Sequence, residues 1–147
     1  MSFIEDLNIS IEKYCSDLLY SYEFEKVEEF YQGMGALKKF ENKNLKIQIV
    51  NDRGLINLDI SSKYGDENYR DVELIKSLIE LDALSNEKIG KWERNKILNQ
   101  NLDLISQCNF IIENIETLAK LFDRKNYKKT IKKIDKVGFE RSHKLFE

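Results

Sequence analysis

The sequence predicts an α+β fold: an N-terminal helix, a three-stranded antiparallel meander, and three helices packed on one face of the sheet. Apolar and polar residues alternate along 45–49 and 56–60, which is the period of a β-strand. The segments before and after carry apolar residues at the i, i+3, i+4 spacing of amphipathic helices. The chain has 147 residues, the length of one ordinary domain, so we predict a single domain over 1–147.

The centre of the predicted sheet is a β-hairpin over 44–62. We predict that Val50 pairs with Leu55 across a turn of four residues, 51–54, in which Gly54 supplies the positive φ. This pairing places six apolar side chains on one face: Leu45, Ile47, Ile49, Ile56, Leu58 and Ile60. A slip of one residue would turn all of them to the other face.

The first 31 residues are predicted to be helical, because apolar side chains recur at helical spacing from Phe3 to Leu19 and an aromatic-rich stretch follows. A break near Ser21 stays open at this stage. Gly33 and Gly35 are interpreted as a helix C-cap and turn. Residues 36–40 are predicted to form the remaining strand of the meander.

The second half of the chain is predicted to be helical. Asp71 is the predicted N-cap of a helix that reaches Leu81, and Ser85 with Glu87 gives a second start signal. An apolar stripe over 98–122 predicts the main helix on the sheet, although the pattern leaves open whether 86–122 forms one helix or two. A last helix is predicted over 127–145.

The sequence contains no recognisable catalytic or metal-binding motif. Cys15 and Cys108 are far apart in the chain and are interpreted as reduced core thiols, and His143 is the only histidine. We therefore assign no catalytic residue, metal or cofactor. The absence of a signal segment and of a long apolar run predicts a cytoplasmic protein that does not enter a membrane. A small enzyme with paired carboxylates stays as an alternative, with candidates Glu28, Glu29, Asp59, Asp66 and Glu67.

The charge is distributed unevenly along the chain. Residues 1–31 carry eight acidic and two basic groups, whereas residues 124–147 carry nine basic and three acidic groups. Four lysines share one face of the last predicted helix: Lys129, Lys132, Lys133 and Lys136. We prefer a solvated face, or pairing of the acidic first helix with the basic last helix. An acidic protein partner comes second, and a nucleic-acid-associated regulatory protein comes third.

Partner-binding candidates are sought around the hairpin turn, because Tyr, Trp and Arg dominate interface energetics. These candidates are Asp52, Arg53, Tyr64, Tyr69, Arg70 and Trp92. The competing interpretation is that the Tyr and Trp rings cap the core. The open edges of a small sheet would also permit a homodimer by strand pairing.

The hairpin IQIVNDRGLINLDI with the helix DVELIKSLIEL resembles a pattern in small bacterial proteins, among them immunity proteins of polymorphic toxin systems. The resemblance covers residues 45–81 and contains no catalytic motif. It implies a non-enzymatic interaction protein that binds and neutralises a toxin by steric and electrostatic occlusion.

Overall fold

The protein forms an α+β fold around one antiparallel sheet, as a computed structural model describes for residues 2–84 and 89–144. The strands lie side by side in chain order: β1 Glu25–Gln32, β2 Gly35–Glu41, β3 Leu45–Asp52, β4 Leu55–Ser62 and β5 Arg70–Asp71. The α+β class is confirmed. The predicted number of three strands is wrong, because the described residues form five.

The helices precede and follow the four long strands. Before them lie α1 Phe3–Ser10, a π-helical turn at Ile11–Cys15, and α2 Ser16–Ser21. After them lie α3 Val72–Ala83, α4 Lys91–Leu98, α5 Leu104–Glu113, α6 Ile115–Leu121 and α7 Tyr127–Lys144. None of the helices within the described ranges is long and apolar enough to span a membrane.

The prediction of one helix over the first 31 residues is wrong after Ser21. Glu23 adopts a positive φ of 58°, which breaks the helix, and the chain then extends as β1. Val27, Phe30 and Tyr31 favour strands, and the acids between them meet lysines of β2. Glu28 and Glu29 thus form cross-strand ion pairs with Lys39 and Lys38, at 3.3 and 3.4 Å. The helical spacing of Val27, Phe30 and Tyr31 in the sequence therefore does not indicate a helix.

The glycines predicted to cap a helix instead connect two strands. Gln32 pairs with Gly35, so Gly33 and Met34 form a two-residue hairpin turn between β1 and β2. Gly33 has a φ of +59°, as expected when Gly holds the first central position of a type II′ turn.

The central hairpin keeps its predicted face but not its predicted register. Asp52, rather than Val50, pairs with Leu55, so the turn contains only Arg53 and Gly54. Both have positive φ, 56° and 96°, as a type I′ turn requires. A shift of two residues preserves the side-chain alternation, which is why the buried face was predicted correctly.

The core lies on one face of the sheet, against the helices. Five of the six predicted hairpin residues are fully buried, and Ile56 is partly buried against the same core. Helix α1 packs on β2 and β3, whereas α5 packs on β4. Each such Leu or Ile contributes about 1.5–3 kcal/mol by its burial.

The apolar stripe over 98–122 does not form one helix. Helix α4 ends at Leu98, and Asp103 begins α5 by accepting a hydrogen bond from the Ser106 amide at 2.9 Å. The backbone then kinks at Asn114, between α5 and α6. Asp71 caps α3 as predicted, by accepting from the Glu73 amide at 2.6 Å. The predicted start at Ser85 and Glu87 lies outside the described residues.

Candidate functional site

The residues predicted to surround the hairpin turn do not form one site. Asp52 and Arg53 lie at the β3–β4 turn, where their side chains are 75% and 78% solvent-exposed. Tyr64, Tyr69 and Arg70 follow the opposite end of β4. A strand of eight residues separates the two groups, and at 3.3 Å per residue that is about 26 Å. The prediction of a single rim is therefore wrong.

The remaining candidates have different environments. Arg70 forms a two-pronged ion pair with Asp135 of α7, with its Nε 2.7 Å from Oδ1, so it ties β5 to that helix. The Tyr69 ring is partly buried beneath the Lys39 ammonium, 5.3 Å away, and burial raises the pKa of its hydroxyl. Trp92 on α4 is 72% exposed and lies beside the Lys96 ammonium at 5.0 Å. Of these three residues, only Trp92 is freely accessible.

The most exposed apolar side chains near the hairpin turns belong to strand β1 and its surroundings. We name the following group the edge surface; each member is more than half exposed: Val27, Phe30, Tyr31, Met34 and Leu55. Every residue of β1 is exposed, and β1 is the outermost strand of the sheet. The Arg53 amide donates to the Met34 carbonyl at 2.9 Å, which holds the two hairpin turns together beside this surface.

The two halves of β1 differ in regularity. The register shifts between Lys26 and Glu28, which places a bulge at Val27. From Glu28 to Gln32 the strand pairs regularly with β2. A bulge, here at Val27, and a lysine, here Lys26, both discourage another strand from pairing with the edge of a sheet. The half of β1 that remains open to a further strand is therefore 28–32.

A second surface lies on α7. Six lysines line one shallow concavity of about 490 Å³, and we call them the lysine face: Lys125, Lys128, Lys129, Lys132, Lys133 and Lys136. The four lysines that the sequence placed on one helix face are all members. Helix α7 packs against α3 and α4 through its other side, which includes the buried Ile134 and Val137.

Two tyrosines extend the lysine face at the start of α7. Tyr64, from the loop after β4, and Tyr127 have ring centroids 6.4 Å apart. The Arg124 guanidinium lies 5.0 Å from the Tyr64 ring, and the Lys128 ammonium lies 6.0 Å from the Tyr127 ring. Sequence reasoning did not connect Tyr127 with any site, because 63 residues separate the two rings and only the fold brings them together.

The acidic and basic ends of the chain do not neutralise each other. Within the described parts of the chain, no ion pair joins residues 2–31 to residues 124–144. Helix α7 instead meets α3 and α4, whereas the acidic N-terminal segment packs on β2, β3 and α5. The expectation of internal pairing is therefore wrong, and both charged surfaces stay open to solvent.

The carboxylates proposed for an enzyme are mostly engaged with lysines. Glu28 and Glu67 share Lys39, whose ammonium lies 2.7 Å from Glu67 and lowers the pKa of that carboxyl. Asp59 accepts a hydrogen bond from Gln48 at 2.9 Å, while burial raises the pKa of Asp59. These contacts describe a sheet face held by ion pairs rather than a set of acids converging on a substrate.

A different group of acids lines a shallow concavity of about 630 Å³ at the start of β1. These acids are Glu23, Glu25 and Glu41, together with the aromatic rings of Tyr20, Phe24 and Phe40. Glu23 and Glu25 are exposed to solvent. No group of three or more His, Cys, Asp or Glu within the described ranges could hold a metal ion.

The two cysteines are core residues, as predicted, but they are also neighbours. Cys15 and Cys108 are both buried free thiols, with their sulfur atoms 3.1 Å apart. The hydrogen bond between them and their burial raise the pKa of the Cys15 thiol. A raised pKa keeps the Cys15 thiol protonated at neutral pH.

Comparison of the chain with protein-family models, curated proteins and solved structures found no match.

Proposed function

We propose that the chain is a non-enzymatic protein-binding module whose partner contacts the edge surface. The observation that carries this proposal is the exposure of all eight residues of β1, a long edge strand with aromatic side chains. An uncovered strand edge presents unpaired backbone groups, and a protein that leaves one open has a ready site for strand addition.

The proposed contact combines backbone pairing with side-chain anchors. An extended segment of the partner pairs with residues 28–32, where the register is regular. Phe30 and Tyr31, 53% and 66% exposed, project to opposite sides of the strand and can each contact such a segment. Aromatic side chains of this kind contribute most of the binding energy at protein interfaces.

The charges around β1 favour a basic partner. Residues 1–31 are acidic overall; Glu28 and Glu29 are paired with lysines of β2, whereas Glu23 and Glu25 at the start of β1 are exposed and form no ion pair within the described residues. Complementary charge accelerates the encounter of two proteins, and this effect diminishes as salt is added.

The more specific form of the proposal is a bacterial, cytoplasmic immunity-type protein that neutralises a toxin. The pattern resemblance over 45–81 supports it, and so does an accessible acidic surface of the kind that can cover a basic active site. The proposed mechanism is occlusion, in which the partner's functional surface is covered by the edge surface.

Capture of a partner by the tagged chain from its native lysate at moderate salt tests the proposal. The wild type is compared with Phe30→Lys/Tyr31→Lys, which removes both anchors and charges the edge. The matched control, Trp92→Lys/Phe139→Lys, replaces two other exposed rings, which are 72% and 65% accessible. We expect one stoichiometric protein that the edge variant loses and the control retains.

Loss of the partner in the control but not in the edge variant would contradict the proposal and would favour Trp92 as the anchor. For the immunity form, the captured protein should arrest growth when expressed alone, and the wild-type chain, but not the edge variant, should restore growth. A homodimer that light scattering detects in the wild type and not in the edge variant would assign the edge to self-association instead.

A further inference from the structure

We propose that the lysine face, with Tyr64 and Tyr127, binds single-stranded nucleic acid without sequence preference. The inference is independent of the edge surface. It depends on three observations: a row of cations, two half-buried tyrosine rings that line a concavity at one end of that row, and the lack of acidic side chains lining either.

The cations form a continuous row along α7. From Lys128 to Lys136 the helix advances eight residues, which is about 12 Å at 1.5 Å per residue, and Lys125 lies in the turn just before it. Residues 124–136 contain seven basic groups and one acidic group, Asp135, which binds Arg70. Within the described chain, only Lys133 of the lysine face has a carboxylate partner, Asp82 at 3.7 Å. The row therefore retains its positive field.

The aromatic rings distinguish a nucleic acid from an acidic protein. Tyr64 and Tyr127 line a concavity of about 520 Å³ that also contains Lys63, Arg124, Lys125 and Lys128. Lys125 and Lys128 belong to the lysine face as well, so the rings and the row of cations are continuous. An unpaired base can stack on a tyrosine while its phosphates contact neighbouring cations. An acidic peptide offers charge but no flat ring for that purpose.

The side-chain types indicate binding without base recognition. Lys interacts with phosphate as a point charge, whereas bases in a duplex are identified mainly by the paired donors and acceptors of Arg, Asn and Gln. The lysine face supplies only ammonium groups, and the one arginine lining the adjoining concavity, Arg124, lies 5.0 Å from the Tyr64 ring. Duplex DNA also shields its bases from stacking, so the tyrosines favour an unpaired strand.

Fluorescence anisotropy with a labelled thymidine dodecamer tests the inference, with NaCl raised from about 25 to about 200 mM. Each phosphate contact on a single strand contributes about −0.7 to the slope of log K against log salt. Lys129→Gln/Lys132→Gln/Lys136→Gln should therefore reduce the magnitude of that slope by about 2 and weaken binding at low salt. The control Lys13→Gln/Lys26→Gln/Lys91→Gln makes the same change of charge at other exposed lysines and should leave the slope unaltered.

Substitution of the two tyrosines tests base stacking separately from the contribution of charge to the affinity. Tyr64→Leu and Tyr127→Leu should each weaken binding of the dodecamer about tenfold or more at constant salt slope. Circular dichroism confirms that each variant is folded. Equal binding of a twelve-pair duplex or of a polyglutamate peptide, with no effect of either Leu variant, would overturn the inference. Absence of salt-dependent binding to the dodecamer would overturn it as well.

Discussion

Gln107 is the buried polar side chain whose replacement should be most informative about how the helices are held on the sheet. It is 1% exposed on α5, and its Oε1 accepts from the Leu58 amide of β4 at 2.8 Å. Its Nε2 donates to the Leu102 carbonyl at 2.9 Å and to Asn57 Oδ1 at 3.2 Å. Strand β5 pairs with β4 only at residues 59 and 60, so Gln107 satisfies a backbone group that β5 leaves unpaired.

Gln107→Met keeps the length of the side chain but removes every one of these bonds. The Leu58 amide and the Leu102 carbonyl then lose their partner in a buried site, at about 1–3 kcal/mol for each unsatisfied group. The expected loss is roughly 2–6 kcal/mol, a large part of the 5–15 kcal/mol that such domains possess. The melting temperature should fall by roughly 6–19 °C.

Urea denaturation followed by circular dichroism measures this loss, with Gln32→Met on the exposed β1 as the matched control. The control should change the free energy of unfolding by less than about 0.5 kcal/mol. A loss below about 1 kcal/mol for Gln107→Met, with unchanged m-value, would refute the argument that this amide connects α5 to β4.

Four further predictions depend on particular contacts. Because burial raises the pKa of Asp59 above its ordinary 3.8, its charged form opposes folding, so Asp59→Asn should raise the melting temperature at pH 7 and have no effect below about pH 3.8. Glu67→Gln should do the opposite, because Lys39 lowers the pKa of the Glu67 carboxyl below its ordinary 4.5. The substitution should destabilise the fold at pH 7, and this effect should decrease only as the pH falls below 4.5 toward the lowered pKa. Arg53→Asn should stabilise the type I′ turn by roughly 0.5–1 kcal/mol, and Gly54→Ala should destabilise it by about 1 kcal/mol or more, as urea titration can measure. Diamide should oxidise Cys15 and Cys108 to one disulfide, because their sulfur atoms are neighbours. Mass spectrometry of the intact chain should detect the loss of two hydrogens in the wild type and no loss in Cys15→Ala. An unchanged mass in the wild type would show that the buried thiols do not react.

The sequence predicted the parts of the fold that depend on local periodicity. Ile47 and Ile49 alternate with polar residues, and Asp71 precedes an apolar run, so the buried hairpin face and the start of α3 were both found. The register was missed because a two-residue and a four-residue turn preserve the same alternation, and only the positive φ of Arg53 distinguishes them.

Strand β1 was missed for a tertiary reason. A strand exposed along its whole length has no alternation of burial, so Val27, Phe30 and Tyr31 carry no period-two signal and happen to match helical spacing. The cross-strand partners Lys38 and Lys39 become visible only when β2 is in place. The same limit applies to the site residues, because the neighbourhood of Tyr64 and Tyr127 is created by the fold.

The two proposed surfaces belong to different elements, strand β1 and helix α7, and this separation makes them independently testable. Strand β1 is first in the strand order and β5 is last, and Arg70 of β5 holds α7 through Asp135. Four strand spacings of about 4.8 Å separate β1, which carries Phe30 and Tyr31, from β5 by about 19 Å. Electrostatic interactions between exposed groups are screened within about 8 Å at physiological salt. Substitutions on one surface should therefore leave binding at the other unchanged, and coupling between Phe30→Lys/Tyr31→Lys and the lysine variants would show that one ligand spans both.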